Sequence, residues 1–115
     1  MPGPEEFQAA LSSLGLRTER RGPLVIVGVE PPLGPAAGTD VDVGADPPAD
    51  YPRIPPHWVH LPERFELPRG GRNASELGTG WSKWSRQHPR WRGGPTAAVE
   101  WVAHIRSLLA EAAIP

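Results

Sequence analysis

The sequence predicts an α+β fold: an antiparallel β-meander of three to four strands flanked by an N-terminal and a C-terminal helix, forming one domain over residues 1–115. Three observations carry this. Helix-spaced apolar residues stand at both ends, short β-branched or alternating runs lie between them, and 13 glycines and 16 prolines punctuate the chain. That much glycine and proline approaches the composition of disordered chains, but five tryptophans and a dense apolar run offer the burial such chains lack.

Phe7, Ala10, Leu11 and Leu14 share one helical face, which predicts a helix over 4–14 with Gly15 as its left-handed terminator. The run Leu24, Val25, Ile26, Val27, Gly28, Val29 is rich in β-branched residues and too short for a helix; it predicts a strand covered on both faces. Residues 39–43 alternate polar and apolar, so Val41 and Val43 point one way and Asp40 and Asp42 the other, as in a half-exposed neighbouring strand. Residues 56–61 form a third extended segment, led in by proline and cut off by Pro62. From 62 to 95 periodicity is poor and irregular structure is predicted, although Trp81, Trp84 and His88 are spaced for one or two helical turns with their rings on one side. Thr96 then caps a helix whose face is Ala98, Trp101, Val102, Ile105, Leu108, Leu109 and Ala112.

With no cysteine, a thiolate nucleophile, a disulfide and a cysteine metal site are all excluded. No stretch reaches the ~20 apolar residues of a membrane span, and the opening Met-Pro-Gly-Pro-Glu-Glu is acidic where a signal peptide is basic and then apolar, so no membrane association and a cytoplasmic location are expected. The net charge is −1, unevenly spread. Residues 39–50 hold Asp40, Asp42, Asp46 and Asp50 with no base, whereas 69–92 hold Arg69, Arg72, Lys83, Arg86, Arg90 and Arg92 against Glu76 alone. One end of the molecule is therefore expected to be electropositive.

Of the four histidines, His57 and His60 stand three apart on an extended segment, face opposite ways and cannot share an ion, so no metal or other cofactor is expected. Ser75, Ser82, Ser85, His88 and His104 carry no local signature of serine catalysis, and Arg69-Gly70-Gly71-Arg72 lacks the lysine and helix of a phosphate loop. The Arg/Trp mixture over 69–92 suits single-stranded nucleic acid through phosphate contacts and base stacking, but tryptophans are more often buried than presented. Trp58, Trp91 and Trp101 are read as structural, with arginines stacking on the others without any ligand.

Tyr51-Pro52-Arg53-Ile54-Pro55-Pro56 resembles the Tyr-Pro-x-x-Pro-Pro segment that leads into a late strand of ubiquitin-conjugating enzymes. Trp91, followed by a helix containing Ser107-Leu108-Leu109, resembles that family's tryptophan and the helix after its active site, and the likeness spans roughly residues 7–109. It implies a UBC-like fold. The family's His-Pro-Asn triplet is replaced by Leu67-Pro68-Arg69, and its thioester-forming cysteine falls within Glu76-Leu77-Gly78-Thr79-Gly80, which has none. The segment 80–86 is similar to that of divergent bacterial members, encoded beside ubiquitin-like and activating proteins.

The resemblance implies a non-catalytic binding or adaptor protein of a bacterial ubiquitin-like conjugation pathway, whose partner is a ubiquitin-like protein or a pathway enzyme. Its expected contact surface comprises Arg69, Arg72, Trp81, Trp84, Arg86, His88 and Arg90. A nucleic-acid module built on 69–92 ranks below that reading. An acyl carrier using the hydroxyl of Thr79 or a serine, with His88 as base, ranks lower still.

Overall fold

The computed structural model describes residues 2–115 as α1 (Pro2–Ser13), β1 (Thr18–Arg21), β2 (Leu24–Val29), β3 (Val41–Ala45), β4 (Trp58–Pro62), β5 (Asn73–Ala74), β6 (Trp81–Ser85) and α2 (Ala97–Glu111). One antiparallel sheet runs β1-β2-β3-β4-β6-β5. The α+β class thus stands, but the strands number six where three to four were expected. The radius of gyration, 13.0 Å, is that of a folded chain of this length.

Both helices pack on one sheet face. Period-two alternation sends Val25, Val27 and Val29 of β2, Val41, Val43 and Ala45 of β3, and Val59 and Leu61 of β4 to that face, where they are buried with Phe7, Leu11, Trp101, Ile105 and Leu109. Phe7 sits edge-on to Trp101 and to Tyr51, each with ring centroids 5.0 Å away. α1 closes as anticipated at Gly15, whose φ of 82° lets its N–H reach Ser12 O while Leu16 N–H reaches Leu11 O. Thr96 behaves differently from its expected capping role: its hydroxyl donates to the Glu100 carboxylate at 2.9 Å and makes no cap bond to the α2 backbone.

Strands appear where composition hid them. β1 is Thr-Glu-Arg-Arg, with no apolar residue to mark it; it is an edge strand whose charges discourage further pairing. It turns into β2 through Gly22 and Pro23, with Gly22 at φ 61° in the first central position, where a two-residue hairpin turn needs glycine. The expected helical turns over Trp81, Trp84 and His88 are corrected: Trp81–Ser85 is strand β6, hydrogen-bonded to β4 on one side and β5 on the other. That pairing buries Ser82 and Trp84 and leaves Trp81 and Lys83 partly exposed, so the rings of Trp81 and Trp84 lie on opposite faces.

Candidate functional site

The β5–β6 connection, residues 75–80, is where the resemblance places the lost nucleophile. Gly78 and Gly80, at φ 94° and 90°, give it two left-handed bends around Thr79. Thr79 is exposed and lies before β6, whereas His88 lies beyond its other end; five residues of strand, about 16 Å, separate them. The pairing of Thr79 with His88 as nucleophile and base is therefore corrected. Two other hydroxyls do meet an imidazole: Ser85 Oγ lies 2.5 Å from the exposed His57 Nε2 at the far end of β6, and within the connection Ser75 Oγ lies 2.7 Å from His60 Nδ1 and accepts the Leu77 N–H at 3.0 Å. His60 is wholly buried, its Nε2 has no partner, and burial holds its pKa down to about 4, so the ring is neutral at pH 7. An enclosed imidazole has no path to a substrate, and the pair acts as a latch fastening the loop to the sheet.

The basic stretch divides into engaged and free cations. Arg72 donates to Glu63 O at 2.7 Å, Ser82 Oγ at 3.0 Å and Phe65 O at 3.2 Å, and lies over the Trp84 ring. Arg86 donates to Ser85 O and Arg69 O and lies near the same ring. Trp84, only 2 % exposed, is core; its expected place on a contact surface is corrected, and the stacking of arginines on it needs no ligand. Trp81 is half-buried, and Lys83 is held by Glu76 at 2.8 Å. Arg90 and Arg92 are exposed and neither guanidinium makes an ion pair with an acid among the described residues, although, beside the hydrogen bond from the Thr96 hydroxyl, the charge of Arg92 helps to lower the pKa of Glu100.

His88 and His104 are brought together across the start of α2, ring centroids 4.6 Å apart, although sixteen positions separate them in the chain. His88 Nε2 meets Glu100 O at 3.1 Å and its ring stands edge-on to Trp91, whose N–H donates to Pro52 O at 2.8 Å. Burial, then the positive field of His88 and Arg86, lowers the His104 pKa to about 4. With Arg90, Arg92, Thr96, Glu100 and Ser107 these rings line a cleft of about 420 Å³. Sequence alone gave no sign of the pairing of His104 with His88 or of His60 with Ser75.

Among the described residues no group of three or more His, Asp or Glu side chains is arranged to hold a metal ion, and no helix is long and apolar enough to cross a membrane. No family model, curated protein or solved structure matches this chain. The arrangement is that of an α+β domain with an enclosed hydroxyl–imidazole latch and a cationic cleft beside its last helix.

Proposed function

We propose that this chain is a cysteine-less domain of the ubiquitin-conjugating type that binds, without catalysing, as an adaptor in a ubiquitin-like conjugation pathway. The observation that carries the reading is the path of residues 51–62. Tyr51 is buried between Phe7 of α1 and Trp91, and the proline run after it leads straight into β4, the fourth strand of a consecutive antiparallel series that begins after α1 and precedes α2. This is the order the resemblance implies. β5 and β6 extend the sheet beyond it. The loop where the thioester would form offers two hydroxyls, Ser75 turned onto the buried His60 and Thr79 exposed with no imidazole bonded to it, which favours binding over transfer.

The test is to mix the protein with ubiquitin-like and activating proteins from the same genome and ATP, and to follow both complex formation and covalent adducts. The expected result is a reversible stoichiometric complex and no adduct, either thiol-labile or hydroxide-labile. A hydroxide-labile ester on Thr79 would replace the adaptor reading with the acyl-carrier reading. Failure to bind any such protein, with salt-sensitive binding to single-stranded oligonucleotides instead, would favour the nucleic-acid reading.

A further inference from the structure

The exposed side of α2 carries two adjoining clefts of opposite character. On one flank, the cleft with His88 and His104 is rimmed by the exposed guanidinium groups of Arg90 and Arg92. Its one acid, Glu100, is already engaged, Oε2 by the Thr96 hydroxyl at 2.9 Å and Oε1 by the Arg92 N–H at 3.2 Å. These bonds keep Glu100 ionised, so it offsets one of the two guanidinium charges and leaves the cleft with a net positive charge. On the other flank, a cleft of about 240 Å³ lies between the end of α1 and α2, lined by Leu14, Leu16, Val99, Val102 and Arg106. Leu14 and Val99 are 44 % and 51 % exposed, large apolar side chains left in water beside a third guanidinium without an acidic partner among the described residues.

Ala103 lines both clefts, so a single ligand can reach both by crossing the helix at that small residue. The width to be crossed is about one helix diameter, ~10 Å, or roughly three residues of extended chain. We infer that the outer face of α2 is a docking surface for an acidic peptide segment of a partner protein, with an aliphatic side chain in the Leu14–Val99 cleft and carboxylates, about three residues away, between Arg90 and Arg92. The inference rests on the reading of the chain as a binding domain and names its surface and the chemistry of its partner. Charge complementarity selects a polyanion, and the apolar cleft selects peptide over nucleic acid. No tryptophan is presented for base stacking there, since Trp91 is half-buried against Tyr51 and His88 with its N–H satisfied.

The probe is the peptide acetyl-Leu-Ala-Ala-Glu-Glu-Glu-amide, titrated into the intact protein at low salt and followed by calorimetry. Saturable binding is expected. It should weaken at least tenfold in Arg90→Glu/Arg92→Glu and in Val99→Asp, and vanish when the peptide glutamates become lysines. It should hold within about twofold in Arg20→Glu/Arg64→Glu, which changes net charge equally on other surfaces. The inference is overturned by absence of saturable binding, by equal losses in the two charge-reversed pairs, or by tighter binding of a single-stranded oligonucleotide at the same cleft. Failure of this surface and failure of the proposed function are separable. A ubiquitin-like or activating partner whose binding ignores Arg90→Glu/Arg92→Glu leaves the function and removes the surface; peptide binding without any such partner leaves the surface and removes the pathway.

Discussion

The two faces of the sheet are built on different principles. The helix face is a continuous stripe of valines and leucines closed by Phe7, Leu11, Trp101 and Ile105, all buried. At the centre of the opposite face, Gly44 of β3 and His60 of β4 stand side by side in register, and the cover over them is the 75–80 loop, fastened by the Ser75–His60 contact and by Leu77. One face gains stability from apolar area, which is non-directional and tolerant of detail. The other depends on a few directed contacts: the Ser75–His60 bond, the Glu76–Lys83 ion pair at 2.8 Å and one close backbone approach. The difference shows which substitutions unfold the domain and which merely loosen its loop.

Trp101→Ala should give the largest effect. The ring is 1 % exposed and packs edge-on against Phe7, so its removal leaves a large cavity where both helices meet the sheet. A loss of about 3–5 kcal/mol is expected from such truncations, with the thermal midpoint falling by more than about 10 °C. Urea and thermal unfolding measure it. A loss below about 1 kcal/mol would show that the helix face is not the main source of stability.

His60 should give the next effect, and it depends on pH. In the fold its pKa is held to about 4, whereas in the unfolded chain it titrates near 6.5, so the unfolded state takes up this proton first as the pH falls. The contribution is complete above about pH 6.5 and is lost progressively down to about pH 4, by roughly 3 kcal/mol at its end. His104 is shifted in the same direction and adds its own acid sensitivity. Urea midpoints between pH 4 and 7 should therefore fall less steeply in His60→Gln than in the natural sequence, with a further flattening in His60→Gln/His104→Gln. An unchanged slope in the single variant would mean that His60 is solvated and that the loop does not seal this face.

The helix face was legible in the sequence for the same reason that it is robust. β2 and α2 announce themselves through apolar residues at local spacings of two and of three to four, and these patterns survive in the structure. β1 was hidden because its residues are all polar and it is a strand through pairing with β2. β6 was mistaken for helical turns because the spacing of Trp81, Trp84 and His88 ignores the ladder partners, Trp58 to Pro62 and Asn73 to Ala74, that decide its conformation. The proposed contact surface was legible only in part. A run of basic residues marks 69–92, but which of them are free depends on distant carbonyls: those of Glu63 and Phe65 engage Arg72, that of Arg69 engages Arg86, and Arg90 is left unmatched. The link between His60 and Ser75 spans fifteen positions of irregular chain and leaves no periodic trace.

Gly44→Ala probes the loop face at the smallest scale. A Cβ there would stand 2.8 Å from Leu77 Cδ1 and 2.9 Å from His60 Cβ, closer than side chains pack, while the backbone of Gly44 is of a kind that any residue adopts. The end of the leucine side chain can swing away, but the His60 Cβ is fixed to a paired strand, so the strain passes to the loop. Overpacking of this kind costs about 1–3 kcal/mol, and the reduced freedom of the unfolded chain returns about 0.4–1 kcal/mol, which leaves a net loss near 1 kcal/mol. The sharper readout is local. The Leu77 N–H, which donates to Ser75 Oγ, should exchange at least tenfold faster with solvent deuterium, while amides of β2 and α2 change only by the global loss. Uniform acceleration across the chain would mean that the two faces open as one unit, and the distinction between an area-stabilised face and a latched one would fail.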